Sequence, residues 1–128
     1  MEQIAGGMSW IAVIAGAVAA FLIGWLWYSP MLFGPKWAEG VGVEMGTASD
    51  MPVGAMVSQA IGLLLLSLFV GAMAAANALS ILIIGTLAFA MLAYSGGMFR
   101  HNSVYARVTD LGYLLVSVFV MAVVQAIL

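Results

Sequence analysis

Polar and apolar positions divide this chain into four long apolar runs joined by three shorter breaks. The runs cover about 9–28, 53–76, 79–99 and 104–128. Each reaches the roughly 20 residues that an α-helix needs to cross a hydrocarbon core. The first contains no charge. The second is interrupted only by Ser58, Gln59 and Ser67, and the third by scattered small polar residues that end in Tyr94-Ser95-Gly96-Gly97, where the glycines offer a place to release the helix. The fourth carries Arg107 and Asp110 in its first two turns. The breaks differ in kind. Ala76 to Ser80 is so brief that the second and third runs must form an antiparallel hairpin, and Arg100 to Ser103 is a turn. Between the first two runs lies a longer mixed stretch in which Pro30 and Pro35 bracket Met-Leu-Phe-Gly. The segment 30–45 reads as a short amphipathic helix in the membrane interface, followed by a polar turn at 46–50. Ser49 or Asp50 is placed to cap the next helix, with Pro52 tolerated in its first turn. The expected fold is an all-α membrane protein of a single domain, 1–128, with four transmembrane helices in a bundle and a short interfacial helix between helices 1 and 2.

Composition sharpens this picture. Of 128 residues, 66% are apolar and 6% are charged, against about a quarter charged in a soluble domain. A net charge of −2 offers no basic stripe for nucleic acid. The chain has no cysteine, which removes disulfides, thiolate metal sites and thiol nucleophiles. His101 is the sole histidine, so one chain cannot build a two-histidine metal or haem site. The start, Met-Glu-Gln-Ile, lacks the basic region of a signal peptide, and the first apolar run is expected to stay in the mature protein. No cofactor, metal or catalytic constellation is expected, and the chain does not read as an enzyme.

Within the runs, side-chain size is patterned. Ala12, Gly16, Ala20 and Gly24 recur every fourth residue and give helix 1 a smooth face. Such faces let helices approach closely in lipid, where dispersion rather than the hydrophobic effect drives association. Gly54, Ser58 and Gly62 make a similar stripe on the second run. Where helix 1 ends, Trp25, Trp27 and Tyr28 precede Ser29 and Pro30, and Phe33, Gly34, Lys36 and Trp37 follow. Aromatic rings, a helix break and a lysine suit a chain leaving hydrocarbon for the headgroup layer. Lys36, Arg100 and Arg107 all fall on the side of the first and third connections. The positive-inside rule then predicts cytoplasmic connections and both termini outside.

Polar groups inside the runs gather towards that same side. At the helical rise, Gln59 and Asp110 lie about 10 Å from the starts of their helices. Tyr94 and Ser95 come to a similar depth, so Gln59, Tyr94, Ser95, Arg107, Asp110 and Tyr113 form a candidate polar cluster in one leaflet. The other leaflet offers little beyond Thr86, which argues against a conducting path through one monomer. Asp110 carries two readings. An intramembrane carboxylate is a functional candidate by default. The simpler reading pairs it with Arg107, three residues earlier on the same helix. Glu39 and Glu44 read as a solvated face of the interfacial segment.

Two stretches carry a resemblance to a known family. Trp27-Tyr-Ser-Pro-Met-Leu-Phe-Gly-Pro-Lys-Trp37, after a small-residue helix, resembles the bacterial membrane family known as the domain of unknown function numbered 1761. Asp110-Leu-Gly-Tyr-Leu-Leu-Val116 is similar to that family's final helix with its Gly-Tyr pair. The resemblance runs from end to end and implies a small four-helix protein of the bacterial inner membrane, but no activity. A departure is the longer and more acidic first connection with Glu39, Glu44 and Asp50. The expected function is that of a structural, accessory or self-assembling membrane subunit. Its partners would be the lipid bilayer and copies of itself or a larger membrane complex. The alternative is a small-molecule or ion permease, or a lipid-binding protein, that uses the polar cluster.

Overall fold

The computed structural model describes residues 8–43 and 53–128. Among them are five helices: α1 (Trp10–Trp27), α2 (Gly34–Val41), α3 (Val53–Ala75), α4 (Leu79–Phe99) and α5 (Val104–Ile127). All but α2 are long and apolar enough to cross a membrane, and each matches an expected span to within a residue or two. The expected caps at Ser49 or Asp50, the position of Pro52, the Met1–Ile4 start and the 44–45 end of the interfacial segment lie outside the described residues.

The bundle is assembled around α1. Ser9 caps it by accepting from the Ala12 amide at 3.2 Å. Its small-residue face is consumed within the same chain, against α3 and α5. Ala12 and Ala20 are fully buried. A Cβ on Gly16 would stand 2.9 Å from Ser67 Oγ of α3 and 3.3 Å from Met121 Cγ of α5. A Cβ on Gly24 would come within 2.5 Å of the Tyr113 hydroxyl. Close backbone approach also lets side chains reach main-chain acceptors across the interface. Ser67 donates to the Val13 carbonyl at 2.7 Å, and Tyr113 donates to the Ala20 carbonyl at 2.7 Å. These are interhelical hydrogen bonds of the kind that join helices in lipid. The core beside them is thin and mostly small: Ala20, Leu63, Val70, Leu82, Tyr113, Val118 and Met121. A second small cluster joins Met8, Val13 and Ala72, and many other large apolar side chains, such as Ile11, Met31 and Leu92, point outward, as lipid requires.

Three helices end in the same way. The Ala78 amide reaches the Met73 carbonyl at 2.8 Å, with Asn77 at φ 53°. The Asn102 amide reaches the Gly97 carbonyl at 2.9 Å, with His101 at φ 61°. The Val43 amide reaches the Ala38 carbonyl at 3.0 Å, with Gly42 at φ 88°. Each is a Schellman closure, in which one left-handed residue turns the chain and satisfies the last carbonyls. Asn and His, after Gly, are among the residues that adopt this conformation most readily. The Gly96-Gly97 pair therefore does not release α4 as the sequence suggested. The helix passes through both glycines to Phe99, and the pair instead leaves room for arginine side chains.

Contact is uneven along α3. From Val53 to Gly62 it is exposed apart from half-buried Met56, and its buried residues begin at Leu63. No atom lies within 4 Å of a Cβ built on Gly54 or Gly62, so the second small-residue stripe is unpartnered within the described chain. The two stripes thus predict opposite outcomes. Gly24→Leu forces α1 from α5 and should lower stability by about 2–3 kcal/mol, whereas Gly62→Leu should stay within about 0.5 kcal/mol of the parent. Unfolding in mixed micelles at rising denaturing-detergent fraction compares the two. Equal losses would contradict this packing.

Candidate functional site

At the end where α1 leaves the bundle, the aromatic motif folds back onto α5. Helix α1 stops at Trp27. Ser29 then organises the turn: its hydroxyl donates to the Leu26 carbonyl at 2.7 Å, and its carbonyl accepts from the Leu32 and Gly34 amides. Pro35 sits in the first turn of α2, where its missing N–H is no loss. Helix α2 is only 8 residues long, shorter than the expected 30–45 segment. It does not lie apart on the membrane but packs on the start of α5. The Ser103 amide donates to the Gly40 carbonyl at 2.9 Å, and Ala38 and Ala106 are buried beside it. A Cβ on Gly40 would collide with the Ser103 side chain. Glu39 is exposed, on the far side of α2.

This docking brings three polar aromatic groups to two adjacent residues of α5, Thr109 and Asp110. The Trp27 indole donates to the Thr109 carbonyl at 3.0 Å. Its ring lies over Gly112, where a Cβ would come within 3.1 Å of the ring. The Tyr28 hydroxyl donates to Asp110 Oδ1 at 2.6 Å, and the Trp37 indole donates to the same oxygen at 2.9 Å. Tyr28 and Trp37 meet edge to face with centroids 4.9 Å apart, and Tyr28 meets Tyr113 at 5.6 Å. Phe33 fills the space beside Trp27 at 4.8 Å. Lys36 extends over the Tyr105 ring at 5.5 Å. Of the aromatics that close α1, only Trp25 faces outward, 54% exposed. Trp27, Tyr28 and Trp37 of the interfacial motif thus have partners for their polar ends on α5.

The pairing of Asp110 is corrected as well. Arg107 turns towards α4: its guanidinium lies 5.0 Å from the centre of the Tyr94 ring, and its Nε donates to the Ser103 carbonyl at 3.3 Å. Residues three apart share a face only loosely, and here the 60° between them is enough to send Arg107 to α4 and Asp110 to α1 and α2. The six-residue cluster accordingly divides. Asp110 and Tyr113 face α1, with Gln59 of α3 approaching the Tyr113 hydroxyl. Tyr94 and Arg107 form a separate pair between α4 and α5. Ser95 is half-buried on α4 one residue beyond Tyr94.

Sequence reasoning missed Thr109, Gly112, Gly40 and Ser103, whose roles are backbone acceptance and close approach. It also undervalued Ser67 and Ser117, which are fully buried nearer the middle of the bundle. A Gly-Tyr pair one turn after a buried acid was the available signal for Gly112. For the others, nothing in their residue type announces a partner elsewhere in the chain.

The arrangement acts chemically as a clamp: one carboxylate oxygen collects two donors from segments 73 and 82 residues away. Asp110→Ala leaves both donors without an acceptor in a half-buried site, with an expected loss of about 2–4 kcal/mol. Asp110→Asn keeps an acceptor oxygen and should lose less than half as much. Arg107→Gln should spare the clamp and leave the Trp37 fluorescence unchanged. Thermal unfolding in detergent, followed by tryptophan emission, checks all three. Equal damage from Arg107→Gln and Asp110→Ala would restore the ion-pair reading.

The two halves of this clamp, residues 27–37 and 110–116, are the two stretches that carried the family resemblance. The family model described as protein of unknown function DUF1761 matches residues 11–126, nearly the whole chain and both halves of the clamp. Comparison with the curated proteins and with solved structures gives no match. A family match of this extent is decisive, and the chain belongs to the DUF1761 family of proteins of unknown function.

Proposed function

We propose that the chain is a non-enzymatic, multi-pass membrane subunit that works by assembly, with further copies of itself as the first partner. The observation that carries this reading is the inward commitment of Asp110. The intramembrane carboxylate, the group best suited to proton or ligand chemistry, spends its Oδ1 on Tyr28 and Trp37. An open groove of about 310 Å³ between α1 and α3 has only apolar side chains such as Ile14, Phe21 and Leu64 around it. Neither feature resembles a substrate site, in which a few convergent polar groups fix orientation. Association has a surface to use. Helix α3 leaves Gly54, Ser58 and Gly62 open along one face, and a second helix could approach there as closely as α5 approaches α1.

The bacterial inner membrane is the proposed location, with the α1–α2 and α4–α5 connections in the cytoplasm. Support for this orientation comes from Lys36, Arg100 and Arg107, which all stand at the same end of the bundle.

Two measurements test these proposals. Native mass spectrometry after gentle extraction from the source membrane should give a small whole multiple of the 13.4 kDa chain. Gly62→Leu should reduce that mass to the monomer without changing the unfolding midpoint. A monomer in the parent protein, or an oligomer indifferent to Gly62→Leu, rejects self-assembly through α3. For orientation, the natural absence of cysteine allows clean single-site labelling. A cysteine at His101 should resist an impermeant thiol reagent in intact cells, and one at Leu128 should react. The reverse pattern inverts the topology.

A further inference from the structure

A neighbouring face of α5, about 60° round the helix from Asp110, points to a second feature. Arg107, Leu114 and Val118 are spaced seven and four residues apart, so they share one face of the helix. Arg107 stands at the basic end of that face. Leu114 and Val118 line a cleft of about 230 Å³, with Leu66 and Phe69 of α3 and Gly85 and Phe89 of α4 as its walls. The first ten residues of α3 are exposed, so the cleft is flanked on the basic side by a helix with few neighbours.

About 10 Å along α5 from Leu114 at the helical rise, outside the lining of this cleft, stands a cationic group rich in donors. A Cβ on Gly97 would lie 2.8 Å from Arg107 Cγ and 3.7 Å from Asn102 Nδ2. A Cβ on adjacent Gly96 would lie 3.2 Å from Arg100 Nη1. Two guanidinium side chains and a carboxamide thus crowd over consecutive glycines at the end of α4. Arg107 is held in place by the Tyr94 ring at 5.0 Å and by the Ser103 carbonyl, which engages Nε and leaves the fork of the guanidinium uncommitted by those contacts. Asp110, about 60° round α5 from Arg107, has its Oδ1 engaged by Tyr28 and Trp37. A planar fork of N–H donors matches the oxygens of a phosphate.

From this juxtaposition we infer that the α3–α4–α5 cleft holds one anionic phospholipid, with its phosphate on Arg100 and Arg107 and an acyl chain along Leu114 and Val118. Depth supports the pairing of head and tail. Val118 lies about 16 Å along α5 from Arg107 at the helical rise, which is close to the half-thickness of a hydrocarbon core of about 30 Å. A lipid whose phosphate sits at Arg107 therefore carries its chain through the whole length of the cleft. The inference does not depend on self-assembly through the outer face of α3.

The test uses the full chain, stripped of lipid in zwitterionic detergent, and native mass spectrometry of bound adducts. The probes are phosphatidylglycerol, phosphatidylcholine with the same acyl chains, and inorganic phosphate. One phosphatidylglycerol per chain should be retained at about tenfold lower concentration than phosphatidylcholine, because both lipids share the tail contacts and only one keeps its negative charge. Arg100→Gln changes an exposed side chain and should weaken phosphatidylglycerol binding about threefold, and the R100Q/R107Q double variant should abolish the preference. Gly85→Leu fills the cleft from α4 and should weaken both lipids alike, with the lipid-free unfolding midpoint unchanged. Equal retention of the two lipids by the parent protein overturns the inference, as does full retention by Arg100→Gln. Displacement of phosphatidylglycerol by millimolar inorganic phosphate also overturns it, since the ligand would then be a free anion.

Discussion

One oxygen of Asp110 fixes the relation between the two ends of this chain. A carboxylate within a transmembrane helix is tolerated only where its charge is solvated by something, and here the solvation comes from a tyrosine hydroxyl and a tryptophan indole. Both donors belong to the segment that leaves α1, so α1 must end where it does and α2 must fold back for the acceptor to be satisfied. Trp27 reinforces the arrangement by donating to the Thr109 carbonyl, and Tyr113 returns a donor to α1 at Ala20. Donors cross the α1–α5 interface in both directions. That reciprocity makes the interface specific in a solvent that gives no hydrophobic force between helices.

Small residues make this exchange geometrically possible. Gly24 accepts the Tyr113 ring against the backbone, and Gly112 accepts the Trp27 ring in the same way. Gly16 lets Ser67 and Met121 close on α1 at the opposite end. Each glycine sits opposite a side chain that needs the space. The packing is therefore a set of matched pairs, with aromatic groups on one helix set into gaps on the other. Helix α3 shares in it through Ser67 against Gly16 and Val13, whereas α4 takes less part. Their outer faces, and the half of α3 nearest the basic end, remain available to lipid or to another chain. The tightly joined α1–α2–α5 unit supplies rigidity, and the looser α3–α4 hairpin supplies surface.

Composition and periodicity alone settled the class, the number of spans and nearly every helix boundary. Those properties follow from the solvent: hydrocarbon demands about 20 apolar residues in a hydrogen-bonded helix, and few sequences meet that demand by accident. The same logic located the break after Tyr28, the tight hairpin at Asn77 and the small-residue face of α1. Family membership was also legible, because it rested on two specific strings, 27–37 and 110–116. That these two strings bind each other was not legible. No local rule connects Tyr28 or Trp37 with an acid some eighty residues later.

Tertiary structure decided which partner each polar group takes. Local spacing offered Arg107 to Asp110, and bilayer statistics offered Trp27, Tyr28 and Trp37 to the headgroups. The first offer was lost, and the aromatic donors of the second were engaged on α5. Both outcomes come through contacts set by the rotation of α5 about its own axis, a quantity that depends on how Gly16, Gly24 and Gly112 seat their neighbours. The Gly96-Gly97 pair met the same fate, read as a helix end when its role is to make room for Arg100 and Arg107. A sequence determines how much of a helix must lie in hydrocarbon, since that depends on its own side chains. Which way the helix faces is a property of the whole bundle, because each rotation trades one set of close contacts for another.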